Sequence, residues 1–171
     1  RFTEDKDSEE ILSLFRQVKK RGKHLSFMAH INHPQEMRTQ EFEIAVSNIL
    51  ETGATIRTQS PLIRGINDNG EVWSQMWNKQ VNLGMVPYYM FVERDTGPKH
   101  FFELPLANAL SIYQEAIRGV SGLARTARGP SMSAYPGKVC IDGVAEIKGQ
   151  KVFVLSLLQA RSPELVKVPF F

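Results

Sequence analysis

His30 and His33 stand three apart in Met28-Ala29-His30-Ile31-Asn32-His33-Pro34, and imidazole is the commonest side-chain ligand of protein-bound metals. On an extended chain, residues three apart point in divergent directions, and spacing sets no third ligand. Hydrogen bonding or loop packing is therefore the plainer reading of both. Gln59, in Thr58-Gln59-Ser60-Pro61, carries amide donors and a carbonyl acceptor, which suits a ribose or polar ligand edge and equally suits neighbouring backbone. Asn67-Asp68 reads as a turn and helix cap. Arg94 and Asp95 set opposite charges side by side after an apolar stretch; such a pair is costly to bury without a partner and otherwise belongs to a solvated loop. Arg125, Arg128 and Lys138, with Ser131, Ser133, Gly129 and Gly137 among them, make a basic arm suited to an anionic ligand but without phosphate-loop spacing. Lys138 follows Pro136-Gly137. A lysine that attacks a carbonyl must be unprotonated, which desolvation or nearby positive charge achieves, and Arg125 and Arg128 are such charges.

The elements that would position these residues repeat. Gly22, Gly53 and Gly84 are 31 residues apart, each closing an amphipathic stretch and preceding a short apolar one. In the first unit Asp7 or Ser8 caps a helix with Ile11, Leu12, Phe15 and Val18 on its core face, and His24 to His30 follows as a strand. In the second, Thr39 caps a helix bearing Phe42, Ala45, Val46, Ile49 and Leu50, and Thr55 to Gln59 is the strand. In the third, Asp68 or Asn69 caps a helix with Val72, Trp73, Met76, Trp77 and Val81, before a strand from Val86 to Val92. A fourth helix runs from about Pro105 to Arg118. The arm from Gly122 to Lys138 lacks periodicity. Lys138 to Ile147 and Lys151 to Gln159 form a β-hairpin, and the apolar tail ending Val168-Pro169-Phe170-Phe171 should dock on something.

Alternating strands and helices imply an α/β fold with parallel strands and right-handed crossovers. Three units supply part of a (β/α) barrel, since a closed one takes about 250 residues. The expectation is a partial barrel fragment with two unpaired edges, over residues 1–121, followed by a Gly/Pro-rich arm and hairpin over 122–171. Ligands of such sheets sit in the loops after the strands. The open edges predict dimerisation or strand exchange in isolation.

Composition narrows the classes. The 171 residues are 42% hydrophobic and 23% charged, so the chain can bury a core. Its 21 basic residues are interspersed with 18 acidic ones for a net charge of +3, which does not favour a nucleic-acid binder. Val152 to Leu158, the longest apolar run, is too short for a membrane helix, and no signal peptide opens the chain, which reads as cytoplasmic. A single cysteine, Cys140, cannot hold an iron–sulfur cluster by itself. The first residue is Arg1, as expected for a piece of something longer.

Taken together, Met28 to Pro34, Thr58-Gln59-Ser60-Pro61-Leu62-Ile63-Arg64-Gly65-Ile66-Asn67-Asp68, Pro87-Tyr88-Tyr89 with His100-Phe101, and Arg118-Gly119 through Ser121-Gly122 resemble the C-terminal half of the lysine 2,3-aminomutase family of radical S-adenosylmethionine enzymes. The resemblance runs in order from about His24 to Lys138. It implies an isomerase carrying S-adenosylmethionine, a [4Fe–4S] cluster and pyridoxal phosphate, which moves an amino group to the neighbouring carbon of a small amino acid. The family's CxxxCxxC cluster motif lies in an earlier part of the barrel and is absent from this chain, which alone should be inactive without the missing N-terminal half. The resemblance matches His30 and Gln59 to residues near S-adenosylmethionine, Phe91 to a residue near the adenine, and Lys138 to the lysine that holds pyridoxal phosphate. Of two aspartates that bind the distal ammonium in lysine-specific members, one maps to Ser131 and the other to Arg94, or to Asp95 with a one-residue deletion. Losing these carboxylates argues against lysine, and an arginine there suggests a carboxylate-bearing substrate. The family's glycine-rich run before the lysine is replaced by Ser131 to Gly137. A relative that isomerises a lysine used to modify a translation elongation factor has similar loops. The competing expectations are a non-catalytic ligand-binding module on the same fold and an unrelated α/β protein whose loops match by chance, which antiparallel strands between His24 and Val92 would establish.

Overall fold

The computed structural model describes residues 2–3, 6–93 and 97–171, Lys6 and Lys99 by their backbone alone. Glycine geometry sets the frame. Gly22, Gly53 and Gly84 all take positive φ, at 73°, 80° and 81°, the left-handed conformation that ends a helix at little cost only when no Cβ is present. Each closes a helix: α1 (Lys6–Lys20), α2 (Gln40–Glu51) and α3 (Gly70–Asn82). Each is followed by a strand: β1 (Ser26–His30), β2 (Thr55–Pro61) and β3 (Val86–Phe91). The repeat read from the sequence is the repeat of the fold.

The caps divide. Thr39 Oγ1 accepts from Phe42 N at 3.2 Å and Asn69 Oδ1 from Val72 N at 2.9 Å, as side-chain caps should. Asp7 and Ser8 were expected to cap α1 but lie inside its first turn. Of the core face assigned to α1, Leu12 is buried and Phe15 packs against the core, whereas Ile11 is 38% exposed and stays outside it. A short α4 (Lys99–Phe102) precedes α5 (Leu106–Arg118), whose N-cap is Pro105.

Among the described residues the strands form one seven-stranded sheet in chain order. β1, β2 and β3 are parallel, so the antiparallel strands that would have established an unrelated fold are not found there. Residues 128–134 correct the sequence reading of an irregular arm: Arg128–Ala134 is β4, parallel to β3 and antiparallel to β5. Gly, Pro, Ser and Arg give that segment no strand pattern of its own; pairing on both sides makes it a strand. The expected hairpin is present as β5 (Gly137–Ile147) and β6 (Gln150–Ala160). The apolar tail contributes β7 (Pro169–Phe170), paired with β6. One of the two open edges expected of the parallel sheet is therefore covered by the chain's own β5, and β1 remains the outer parallel strand.

Alternation along β2 separates the two faces. Ile56, Thr58 and Ser60 are buried, and Thr58 Oγ1 donates to Gln80 Oε1 of α3 at 2.6 Å, so this face meets the helices. Arg57, Gln59 and Pro61 alternate with them and are half-buried on the opposite face. On the helix side Trp73, Met76, Trp77, Met90 and Ala116 form a core in which each large side chain contributes about 1.5–3 kcal/mol. No helix among the described residues is long and apolar enough to cross a membrane.

Candidate functional site

The loops after the strands are fastened to one another through Asn67. Its Oδ1 accepts from Ile63 N at 2.7 Å, and its Nδ2 donates to Asn32 O and Pro61 O, both at 3.0 Å. Ser60 Oγ donates to Asn32 Oδ1 at 2.8 Å, and Trp73 Nε1 donates to Asn67 O at 2.7 Å. Asn67 is fully buried. The turn read from the sequence is there, but the residue does more: it ties the loop after β1, the loop after β2 and the start of α3 into one rim.

His30 ends β1 and stands in register with Gln59 on β2, and their Nε2 atoms are 2.7 Å apart. A parallel register that pairs two strand-end residues directly brings their side chains together on the open face. His33 is occupied differently. Its Nδ1 accepts from Gln35 N at 3.2 Å, while Glu36 Oε1 accepts from the Asn32 and His33 amides, closing a capping box over the short 3₁₀ turn Pro34–Met37. The two histidines thus have separate duties, and no group of three or more metal-ligating side chains occurs among the described residues.

Lys138 reaches the same face from β5. Its ammonium lies 4.0 Å from the centroid of the Tyr89 ring and 4.6 Å from that of Phe91, and these two rings are stacked at 5.1 Å. A cation over aromatic faces is held by about 0.5–2 kcal/mol. Arg128 is 6.0 Å from the Tyr89 centroid and 5.3 Å from that of Tyr88, so a guanidinium and the lysine ammonium share the Tyr89 ring. Burial, then the neighbouring Tyr88, raises the Tyr89 hydroxyl above its ordinary range. Gly137, at φ 155°, lets the chain enter β5: a Cβ there would drive into Gln159 O and Ala160 Cα.

These groups line one cleft of about 540 Å³, walled by His30, Gln59, Pro61, Phe91, Val92, Glu93, Ser133 and Lys138. Four residues singled out in the sequence, His30, Gln59, Phe91 and Lys138, are brought together. Ser131 is fully buried with its hydroxyl donating to Met90 O at 3.2 Å, and Ser133 is the serine of β4 that lines the cleft. Arg94 and Asp95 lie outside the described residues. Glu93 and Tyr89 were not among the candidate site residues, although Tyr89 stands in the Pro87-Tyr88-Tyr89 motif and alternates with Phe91 on β3. Cys140 is buried in a separate cavity against Tyr113, and burial followed by the nearby Asp142 pushes its thiol up to about 12.

Parallel strand-to-helix units with a cleft at the strand ends define the class: an α/β fold with a rim-borne ligand site. The chain is 34% identical over 138 residues to the "Putative L-lysine 2,3-aminomutase" of Aquifex aeolicus, a match covering 80% of this chain and 36% of the relative. It is 30% identical over 114 residues to the L-lysine 2,3-aminomutase of Escherichia coli, covering 66% and 33%, and 34% identical over 91 residues to that of Clostridium subterminale, covering 53% and 21%. The chain belongs to the lysine 2,3-aminomutase family of radical S-adenosylmethionine enzymes. It spans about a third or less of the length of these curated relatives. No family model matches. A radical SAM methyltransferase structure from Sphaerobacter thermophilus aligns with a TM-score of 0.49 at 13% identity, covering 71% of this chain and 38% of that one.

Proposed function

We propose that this chain is the C-terminal portion of an aminomutase-like enzyme that moves an amino group between adjacent carbons of an amino acid other than lysine. Residues 1–121 would belong to its partial barrel and 122–171 to the arm and hairpin carrying the reactive lysine. The observation that carries the reading is the meeting of His30, Gln59, Phe91 and Lys138 in a single cleft, although they come from four different strands.

The residues of the cleft fit a planar cofactor with a carbonyl. Lys138 supplies the amine, the stacked Tyr89 and Phe91 rings supply a flat apolar floor, and Pro61 and Val92 exclude water from the wall. Arg128 shares the Tyr89 ring with Lys138, bringing a second cationic group to the floor of the cleft. His30 and Gln59 present a joined polar edge suited to the hydroxyl and amino groups of a nucleoside. Pyridoxal phosphate, when bound, supplies the conjugated system over which an amino group passes between carbons, and S-adenosylmethionine supplies the radical that starts the transfer. The residues present do not fit a [4Fe–4S] cluster: the only cysteine is Cys140, buried away from the cleft with a raised pKa. The ligands of such a cluster would have to come from outside this chain, and so would a strand to pair with the open edge of β1.

Absorbance spectroscopy of the full-length protein with pyridoxal phosphate tests the reading. The visible band of the lysine-bound cofactor should form, persist in His30→Ala and vanish in Lys138→Ala; a band unchanged by Lys138→Ala overturns it. A non-catalytic module on the same fold would bind S-adenosylmethionine and leave every amino acid unchanged.

A further inference from the structure

We propose that the second cavity, where α5 faces β4, the β5–β6 hairpin and the tail, is a binding site for a free amino acid with an apolar side chain, its ammonium taken by Asp142 and its carboxylate by Lys167. The cavity holds about 490 Å³, the size of a small-molecule site, and shares no lining residue with the cleft. The inference goes beyond the function proposed above and needs no group of the cleft. Its apolar wall is made by Leu110 and Ile141, both buried, and by Leu158, half-buried. Asp142, Lys167 and Gln114 line it too, and all three are exposed, so their polar ends are open to an arriving ligand.

Both charged residues sit where the backbone departs from regular structure. The register of β5 against β6 shifts between Ile141 and Gly143, which leaves Asp142 as the extra residue of a β-bulge, a device that re-aims a side chain. Lys167 takes φ 64°, the left-handed conformation that a side chain disfavours, while its N–H donates to Leu157 O at 2.9 Å and holds the tail to β6 at that turn. Both charges are felt at the Cys140 thiol, Asp142 raising its pKa and Lys167 lowering it, so carboxylate and ammonium face one wall. Neither enters an ion pair among the described residues. The rest of that wall is neutral: burial keeps the Cys140 thiol and the Tyr113 hydroxyl protonated, and Tyr113 donates to Ala127 O at 2.8 Å. Arg128 also lines the cavity, with its guanidinium over the Tyr88 and Tyr89 rings. One acceptor charge and one donor charge above an apolar wall complement a zwitterion. A simple anion would meet Asp142 and a simple cation Lys167, each a like-charge contact.

Calorimetric titration of the full-length protein with L-leucine and its two truncations, 4-methylpentanoate without the amino group and 3-methylbutylamine without the carboxylate, isolates each charge. L-Leucine should bind at least about tenfold tighter than either truncation. Asp142→Asn should weaken L-leucine at least about fivefold and leave 4-methylpentanoate no weaker than before. Lys167→Gly, which relieves the left-handed backbone, should weaken L-leucine as much while the protein melts no lower than wild type, an outcome that a merely structural lysine would not give. Thermal melts establish that the variants are folded, and Asp142→Ser stands in if Asp142→Asn is not. L-Leucine held in the cleft instead would ignore both substitutions. Equal binding by wild type and folded variants, binding no tighter than that of the truncations, or no binding of L-leucine, L-valine and L-methionine overturns the proposal.

Discussion

The parallel and antiparallel parts of the sheet reach order by different routes. From β1 to β3 each strand is delivered by a helix that ends on a left-handed glycine, and its inner side is sealed by that layer: Ile56 and Met90 are fully buried. From β4 to β7 no α-helix intervenes, only a short 3₁₀ turn at Pro163–Leu165 before β7, and burial grades along the hairpin from Ile141 and Leu157, nearly inaccessible, to Val144, 52% exposed. Lys138 sits where the two parts meet. The first part supplies the rim and an aromatic floor, and the second brings the Lys138 side chain over it. The site is a junction between the helix-backed parallel strands and the antiparallel hairpin.

If the helix layer sets the rim, its removal should have the largest effect. Trp73→Ala deletes a fully buried side chain together with its bond to Asn67 O and should cost about 3–5 kcal/mol in urea unfolding. Asn67→Ala leaves Ile63 N–H and two loop carbonyls short of a partner and should cost about 2–3 kcal/mol, with loss of ligand binding greater than that of a surface variant. On the antiparallel side Gly137→Ala forces the entry to β5 against Gln159 and Ala160 and should cost about 1–3 kcal/mol while displacing Lys138. Retained pyridoxal phosphate binding in a folded Gly137→Ala protein would break the junction picture.

The hairpin also carries a pH signature. The folded pKa of Cys140, about 12, lies above its ordinary 9.0, so the folded state binds that proton more tightly than the unfolded one. Its contribution is complete below about pH 9 and is lost as pH rises toward 12. Cys140→Ala should accordingly lose less stability than wild type between pH 8 and 11 in denaturant titrations, and the wild-type thiol should resist disulfide reagents at pH 8 until the protein unfolds. The smallest effect is expected at the surface of the parallel part, where Glu43→Gln removes the Lys79–Glu43 ion pair, 2.5 Å long and solvent-accessible, and should change stability by less than about 1 kcal/mol.

What the sequence disclosed follows from the same contrast. The 31-residue period was readable because a left-handed helix end demands glycine, a requirement local enough to leave a mark in the chain. The meeting of His30 with Gln59 followed from parallel units of equal length. β4 was hidden because neighbours on both sides hold Arg128–Ala134 in the sheet, not its own apolar alternation. Asn67 looked like a turn residue because its long-range bonds to Asn32 and Pro61 use the same side chain that a turn would use. Glu93 left no signal at all: an acidic residue after a strand is ordinary until one of its oxygens is found buried and unpaired.

The central claim, that the aromatic floor of the parallel part and the lysine of the antiparallel part make one cofactor cleft, is tested most directly by borohydride fixation. Full-length protein reduced in the presence of pyridoxal phosphate and mapped by peptide mass spectrometry should carry the label on Lys138, with labelling strongly reduced in Tyr89→Ala. A label on a different lysine, or a folded protein that takes up none, would contradict the account.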